Sequence, residues 1–329
     1  MANSLSQDFI DASFGFNSQV LYGAKEPRPL WKRTILALHA TQLTQAIGPL
    51  YCEEYFNPDD KAKVMEMVGH IREAFRENVQ ELDWMDQPVK ELTGQKEDQI
   101  TFKMGFPDQW EDVSEVDVRG DTYAANRLAL AEFATRRELA KIGKPYDRSE
   151  WHMAPTEVNA CADLKREMTF PAAILQRPFY VPSRDVAYNY GAIGAVIGHE
   201  LSHFFDDQGS NYDIEGNLND WWTEEVKEQF KTRAQKFVKY FGHLAMEGVK
   251  VNGELTLGEN IADVAGLKFA FAALKKHLAK GDAEPIVDGL TPEQRFFVGF
   301  ARLWAQKIRP ELAEVYALTD PHAPSEVRV

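Results

Sequence analysis

The sequence predicts a mainly α protein with a small β element. Three observations carry that expectation. Several long stretches place apolar residues at helical spacing. Helix start and stop residues bracket several of them, and only two short runs read as extended. From Trp31 to Leu50, residues Ile35, Leu38, Leu43 and Ile47 lie close to a helical repeat. Asn57-Pro58 opens a second helix to about Leu82, in which Val64, Met67, Val68, Ile71, Phe75 and Val79 make one apolar stripe for core packing. Phe106-Pro107-Asp108 breaks the pattern, and a helix from about Thr122 to Ile142 ends at Gly143 and Pro145. Glu157–Ala160 and Met168–Phe170 read as extended, with Pro171 closing the second run. Helices follow from about Asn189 to Phe205, Thr223 to Phe241, Gly258 to Leu278 and Thr291 to Lys307, the last with Pro292 in its first turn. Polar, turn-rich residues fill Asp206–Asn219. A division near residue 105 follows from the Gly105–Pro107 break and the change of texture after it.

Composition narrows the function. The chain has 329 residues, 44% hydrophobic and 27% charged, which is a globular balance with enough length for a real core. Lys and Arg number 37 against 51 Asp and Glu, a net charge of −14. Nucleic acid needs a basic surface, and so does a polybasic membrane anchor, so neither is an expected partner. Two cysteines, Cys52 and Cys161, make no disulfide scaffold, and two hidden thiols are the expected state. The first residues, MANSLSQDFIDASFGF, lack the basic and apolar regions of a signal peptide, and no run is long enough for a membrane span.

The chemistry centres on His199-Glu200-Leu201-Ser202-His203. Residues four apart share a helix face, so both imidazoles can reach one metal ion, with the Glu200 carboxylate near its open position. Two nitrogens and a carboxylate suit zinc, leaving a fourth position for water. Gly258-Glu259-Asn260-Ile261-Ala262-Asp263 offers two more carboxylates four apart. Glu259 is expected to complete the ligand set. Asp263 is expected to accept the free N–H of a ligating imidazole. A solvated, dipole-stabilised acidic helix start would account for Glu259 alone, but not for Asp263 beside Val264, Ala265 and Leu267.

These stretches, taken with others, resemble the C-terminal part of the neprilysin-like zinc metallopeptidases. The resemblance is carried by Val158-Asn159-Ala160, Phe170–Gln176, Asn189–Glu200, Phe205–Gly209, Gly216-Asn217-Leu218, Trp221-Trp222, Gly258–Asp263 and His322–Arg328, and upstream by Trp31-Lys32-Arg33, Leu82–Met85 and Gly105-Phe106-Pro107. It implies a thermolysin-like (gluzincin) catalytic lobe over 106–329 and part of a helical lid lobe over 1–105. It also implies one zinc ion per chain, held by His199, His203 and Glu259, with Glu200 as catalytic base and Asp263 behind the metal. Asn159 and Ala160 resemble the edge that binds an extended substrate backbone. His322 and Arg328 resemble the pair that stabilises the oxyanion and holds a substrate carbonyl. Val196 and Trp304 resemble the lining of the pocket for the side chain after the cleaved bond.

Departures accompany the likeness. Cys161-Ala162-Asp163 stands where aromatic residues are usual, and Phe204 and Ala173 each replace a usual glycine. Family members are longer at both ends, so the C-terminal end is expected to be cut short and the N-terminal part of a larger peptidase becomes an expected partner. The expected function is a zinc metalloendopeptidase acting on oligopeptides before hydrophobic residues; the chain itself does not give its compartment, and the family resemblance implies an extracytoplasmic one, periplasmic or secreted. The alternative is a zinc- or peptide-binding fragment without turnover, or one half of a split peptidase.

Overall fold

The computed structural model describes residues 2–329 except 40, 42, 164, 247 and 282–284. It is mostly helical with short strands. α1 (Gln7–Phe14), α2 (Leu30–His39) and α3 (Leu43–Tyr55) come first. The helix expected over 31–50 is thus two helices; positions 40 and 42 inside it lie outside the described residues. The Thr41 hydroxyl donates to the Leu38 carbonyl and accepts the Leu43 N–H, which ends one helix and starts the next. α4 (Pro58–Glu81) begins where Asn57 caps it, its side chain accepting the Asp59 N–H. Its apolar stripe is buried as the spacing predicts.

α5 (Gln87–Asp98) has no apolar stripe and was not expected; its inward residues include Thr93, Lys96 and Glu97. β1 (Thr101–Gly105) was also unforeseen, because Lys103 interrupts its apolar character. That lysine is buried and paired with Glu167 at 2.6 Å. After α6 (Tyr123–Leu139), β2 (Cys161–Asp163) and β3 (Glu167–Pro171) complete a sheet ordered β1-β3-β2. β1 runs parallel to β3 and β2 antiparallel to it. The extended character foreseen at 157–160 belongs to irregular chain just before β2. β2 pairs only with β3, so among the described residues its outer edge carries no strand.

α7 (Val186–Asn189), a π turn (Tyr190–Gly194) and α8 (Ala195–Ser202) form the helix that carries the histidines. α9 (Glu224–Gly242), the β4–β5 hairpin (Ala245–Met246, Val249–Lys250), α10 (Leu257–Lys280), α11 (Pro292–Leu303), α12 (Pro310–Thr319) and α13 (Ser325–Arg328) follow. Thr291 and Gln294 close a reciprocal cap on α11. One core joins these parts: Ile71 and Phe75 of α4, Phe170 of β3, Ile197 and Leu201 of α8, and Phe269 and Leu274 of α10.

The crossing of α8 and α10 sets the site. Gly198 and Gly266 meet there, and a Cβ on Gly266 would lie 2.3 Å from the His199 backbone nitrogen. Backbone cannot yield to a methyl at that range, so the helices must separate. Gly266→Ala is expected to cost about 1–3 kcal/mol and to weaken metal binding as the α10 carboxylates withdraw. Urea unfolding and chelator competition would measure the two effects; unchanged values for both would mean the crossing is compliant.

Candidate active site

The helix of α8 places His199 and His203 on one face. Their Nε2 atoms are 2.9 Å apart, and the rings meet edge to face. From α10, Glu259 Oε2 lies 3.1 Å from His199 Nε2 and 3.6 Å from His203 Nε2. Among the described residues these three make a group whose ligand atoms lie within 4.8 Å of one another. Each imidazole is held from behind. His199 Nδ1 donates to Asp263 Oδ1 at 2.8 Å, and His203 Nδ1 donates to Asp206 Oδ2 at 2.7 Å. With both Nδ1 atoms engaged as donors, both Nε2 lone pairs point at each other and at a carboxylate. Glu259 Oε2 is buried without a well-formed hydrogen bond. Two lone pairs and an anionic oxygen converging on one point require a cation between them. Tetrahedral zinc with Zn–N near 2.0–2.1 Å would hold two nitrogens about 3.3 Å apart, close to what is seen. The donor set therefore fits zinc.

The titration behaviour of the bare groups reports the same demand for positive charge. Burial disfavours charge on His199, but its bond to Asp263 and its contact with Glu259 outweigh that and push it up to about 9. His203, likewise buried but bonded to Asp206 and close to Glu259, goes up to about 10. Burial works to raise Glu259, yet its contacts with His199, His203 and His322 hold it far below the usual carboxylate range. Glu200 moves the other way. It is 7% exposed, and burial raises its pKa against the pull of the two histidines.

The remaining sequence-derived candidates line the same cavity of about 1010 Å³. Asn159 and Ala160 lie directly before β2 and line the cavity. Val196 and Trp304 contribute to its wall, with Phe300 and Leu303 nearby. His322 Nε2 stands 3.1 Å from Glu259 Oε2, and its Nδ1 is 2.8 Å from Asp320 Oδ1. Its neighbour Ala323 packs with Phe241 and Val251, which fixes the segment against α9 and the hairpin. Arg328 does not stand free in the cavity. Its Nε and Nη2 grip Asp263 at 2.6 and 2.7 Å, and its guanidinium lies 3.7 Å over the Trp304 ring. Asp263 thus serves His199 and Arg328 together, and these contacts, opposing its burial, lower its pKa.

Two residues escaped the sequence reading. Asp206 is to His203 what Asp263 is to His199, and Asp320 orients His322. Asp206 was detectable as an acid three residues past a candidate ligand at a helix end. Asp320 carried no such signal. Cys52 and Cys161 are both free thiols.

Comparison with known proteins gives a consistent result. Family models described as Peptidase family M13 match residues 161–329 and 1–107. Neprilysin-11 of Caenorhabditis elegans is 38% identical over 339 residues, covering 99% of this chain and 39% of that protein. Endothelin-converting enzyme 1 of Rattus norvegicus is 39% identical over 336 residues, covering 99% of this chain and 44% of that one. The chain therefore spans less than half the length of these curated relatives. Among solved structures, the Mycobacterium tuberculosis zinc metalloprotease in complex with an inhibitor superposes with a TM-score of 0.94 at 38% identity, covering 99% of this chain and 50% of that one. The same protein in its open state gives 0.79, again covering 99% of this chain, and 52% of that one. A PepO structure from Lactobacillus rhamnosis gives 0.89 at 35% identity, covering all of this chain and 51% of that one.

Proposed function

The chain belongs to peptidase family M13, and on that premise we propose that it carries the catalytic machinery of a zinc metalloendopeptidase cutting oligopeptides before hydrophobic residues. The observation that carries the reading is the convergence of two imidazole lone pairs and one carboxylate beside a buried second carboxylate. His199, His203 and Glu259 would hold the metal. When bound, zinc supplies a Lewis acid that makes water a nucleophile at neutral pH and polarises the scissile carbonyl.

The chain's own groups do the rest. Glu200 takes a proton from the attacking water as the new C–O bond forms. It then passes that proton to the amine nitrogen as the C–N bond breaks. His322 donates from Nε2 to the developing oxyanion, oriented by Asp320. In the metal-free protein its contact with Glu259 raises its pKa. Arg328, braced on Asp263, is the partner for a substrate carbonyl. The unpaired edge of β2, with Asn159 and Ala160, supports an extended peptide by strand addition. Val196, Trp304 and Phe300 in the cavity wall support a hydrophobic side chain after the cleaved bond. In this reading 106–329 is the catalytic lobe and 1–105 part of a lid, with an extracytoplasmic site of action and the rest of a longer peptidase as partner. Among the described residues, no helix is long and apolar enough to cross a membrane.

Metal analysis together with cleavage of quenched peptides tests this. We expect about one zinc per chain, cleavage before Phe or Leu in preference to Asp, loss of activity with a chelator and recovery with zinc. Zinc uptake with no cleavage of any peptide would instead make the chain a binding fragment. Equal cleavage before Asp and Phe would remove the hydrophobic preference.

A further inference from the structure

Lys96 lies 108 residues before Phe204, on a helix with no residue in the cavity, and it is 2% exposed. A buried ammonium persists only where its N–H groups are matched. Lys96 Nζ donates to the carbonyls of Phe204 at 2.6 Å, Gly209 at 2.8 Å and Tyr212 at 2.7 Å. Those three bonds use all three of its donors. The rings of Phe205 and Trp221 flank it, each with its centroid 5.2 Å from Nζ. Burial lowers its pKa to about 8, with Asp206 and Asp213 opposing, so it is charged at neutral pH.

The three carbonyls belong to one turn, the one that leaves α8 directly after His203. The turn doubles back so tightly that a Cβ on Gly209 would lie 1.9 Å from the His203 carbonyl oxygen. At its centre Asp206 Oδ1 accepts the N–H groups of Gln208 at 2.8 Å and Gly209 at 2.7 Å. Its other oxygen takes His203 Nδ1 at 2.7 Å. Carbonyls pointing inward repel one another unless a cation sits among them. Lys96 supplies that cation, so the turn, the Asp206 carboxylate and the His203 ring share one anchor.

We propose that Lys96 is a positioning residue of the metal site: its ammonium pins the 204–212 turn, and through Asp206 it fixes the tautomer and direction of the His203 imidazole. The helix α5 thereby contributes to the site without touching metal or substrate. The proposal rests on the zinc reading above, and its test separates the two.

The test compares Lys96→Met with Lys103→Met. Lys103 is also buried, 6% exposed, but bonds Glu167 and the Glu150 carbonyl instead of the turn. In metal-free protein, Lys96→Met should speed hydrogen exchange of the 208–212 amides at least about 10-fold, and Lys103→Met should not. By chelator competition, Lys96→Met should weaken zinc roughly 10- to 100-fold, the range for groups that orient a ligand. In an Asp206→Asn background the same change should add little, because both act on His203. If both lysine variants lower Tm alike while zinc affinity and turn exchange stay at wild-type values, Lys96 is only structural and the proposal falls. Should Lys96→Met fail to fold, Lys96→Gln, which keeps two N–H donors, carries the same comparison with a smaller shift. A wild-type chain that binds no zinc would defeat the metal reading, and the exchange measurement on metal-free protein would then decide the pinning alone.

Discussion

Glu200→Gln is expected to retain about one zinc per chain and to lose turnover by roughly 10²- to 10⁴-fold, the range of a general base. Glutamine keeps the shape of the side chain. It lacks the charge and basicity needed to take a proton from water. The atoms that would hold the metal belong to His199, His203 and Glu259, none of which the change touches. Metal content and kcat on a hydrophobic quenched peptide measure the two outcomes. If the variant also loses zinc, the roles assigned to Glu200 and Glu259 are wrong. If it turns over normally, another group is the base.

Asp263→Ala is expected to weaken zinc binding roughly 10- to 100-fold and to destabilise the metal-free protein by about 3–5 kcal/mol, the cost of breaking a buried ion pair. The carboxylate is 8% exposed and has two tasks. Oδ1 holds His199 Nδ1, and the pair Oδ1 and Oδ2 receives the Arg328 fork. Alanine releases the imidazole and leaves a guanidinium, only 5% exposed, without its anion. Glu259→Ala should lose more zinc, since it removes a ligand, and less stability, since no arginine depends on it. A simple helix-end role for Asp263 would cost only about 1 kcal/mol and leave zinc untouched. Competition titration of apo-protein separates these outcomes: unchanged affinity in Asp263→Ala beside a collapse in Glu259→Ala defeats the positioning role and spares the ligand set.

Much of this was legible in the sequence because it is local. The stripe of α4, the start of α11 at Thr291-Pro292 and the course of α9 follow from side-chain period and capping, which depend on neighbours a few residues away. The spacing of four within His199–His203 and within Glu259–Asp263 puts each pair on one helix face before any tertiary contact forms. That is why a candidate metal-binding group could be proposed from a string of letters. Two of the pieces missed in the fold, α5 and β1, carry buried lysines. A lysine reads as solvent-facing unless its distant partner is known, and the partners lie at Phe204, Gly209 and Tyr212 for Lys96 and at Glu167 for Lys103.

The sequence by itself determined the secondary elements with strong periodicity and the types of donor available for a metal. Only the tertiary structure decided that the imidazole Asp263 holds is that of His199, that Arg328 grips the same carboxylate, and that Asp206 backs the second histidine. Helical spacing fixes distances along one segment. Distances between segments depend on how closely two backbones can approach, and here that limit is the contact of Gly198 with Gly266, whose meaning appears only when both helices are packed.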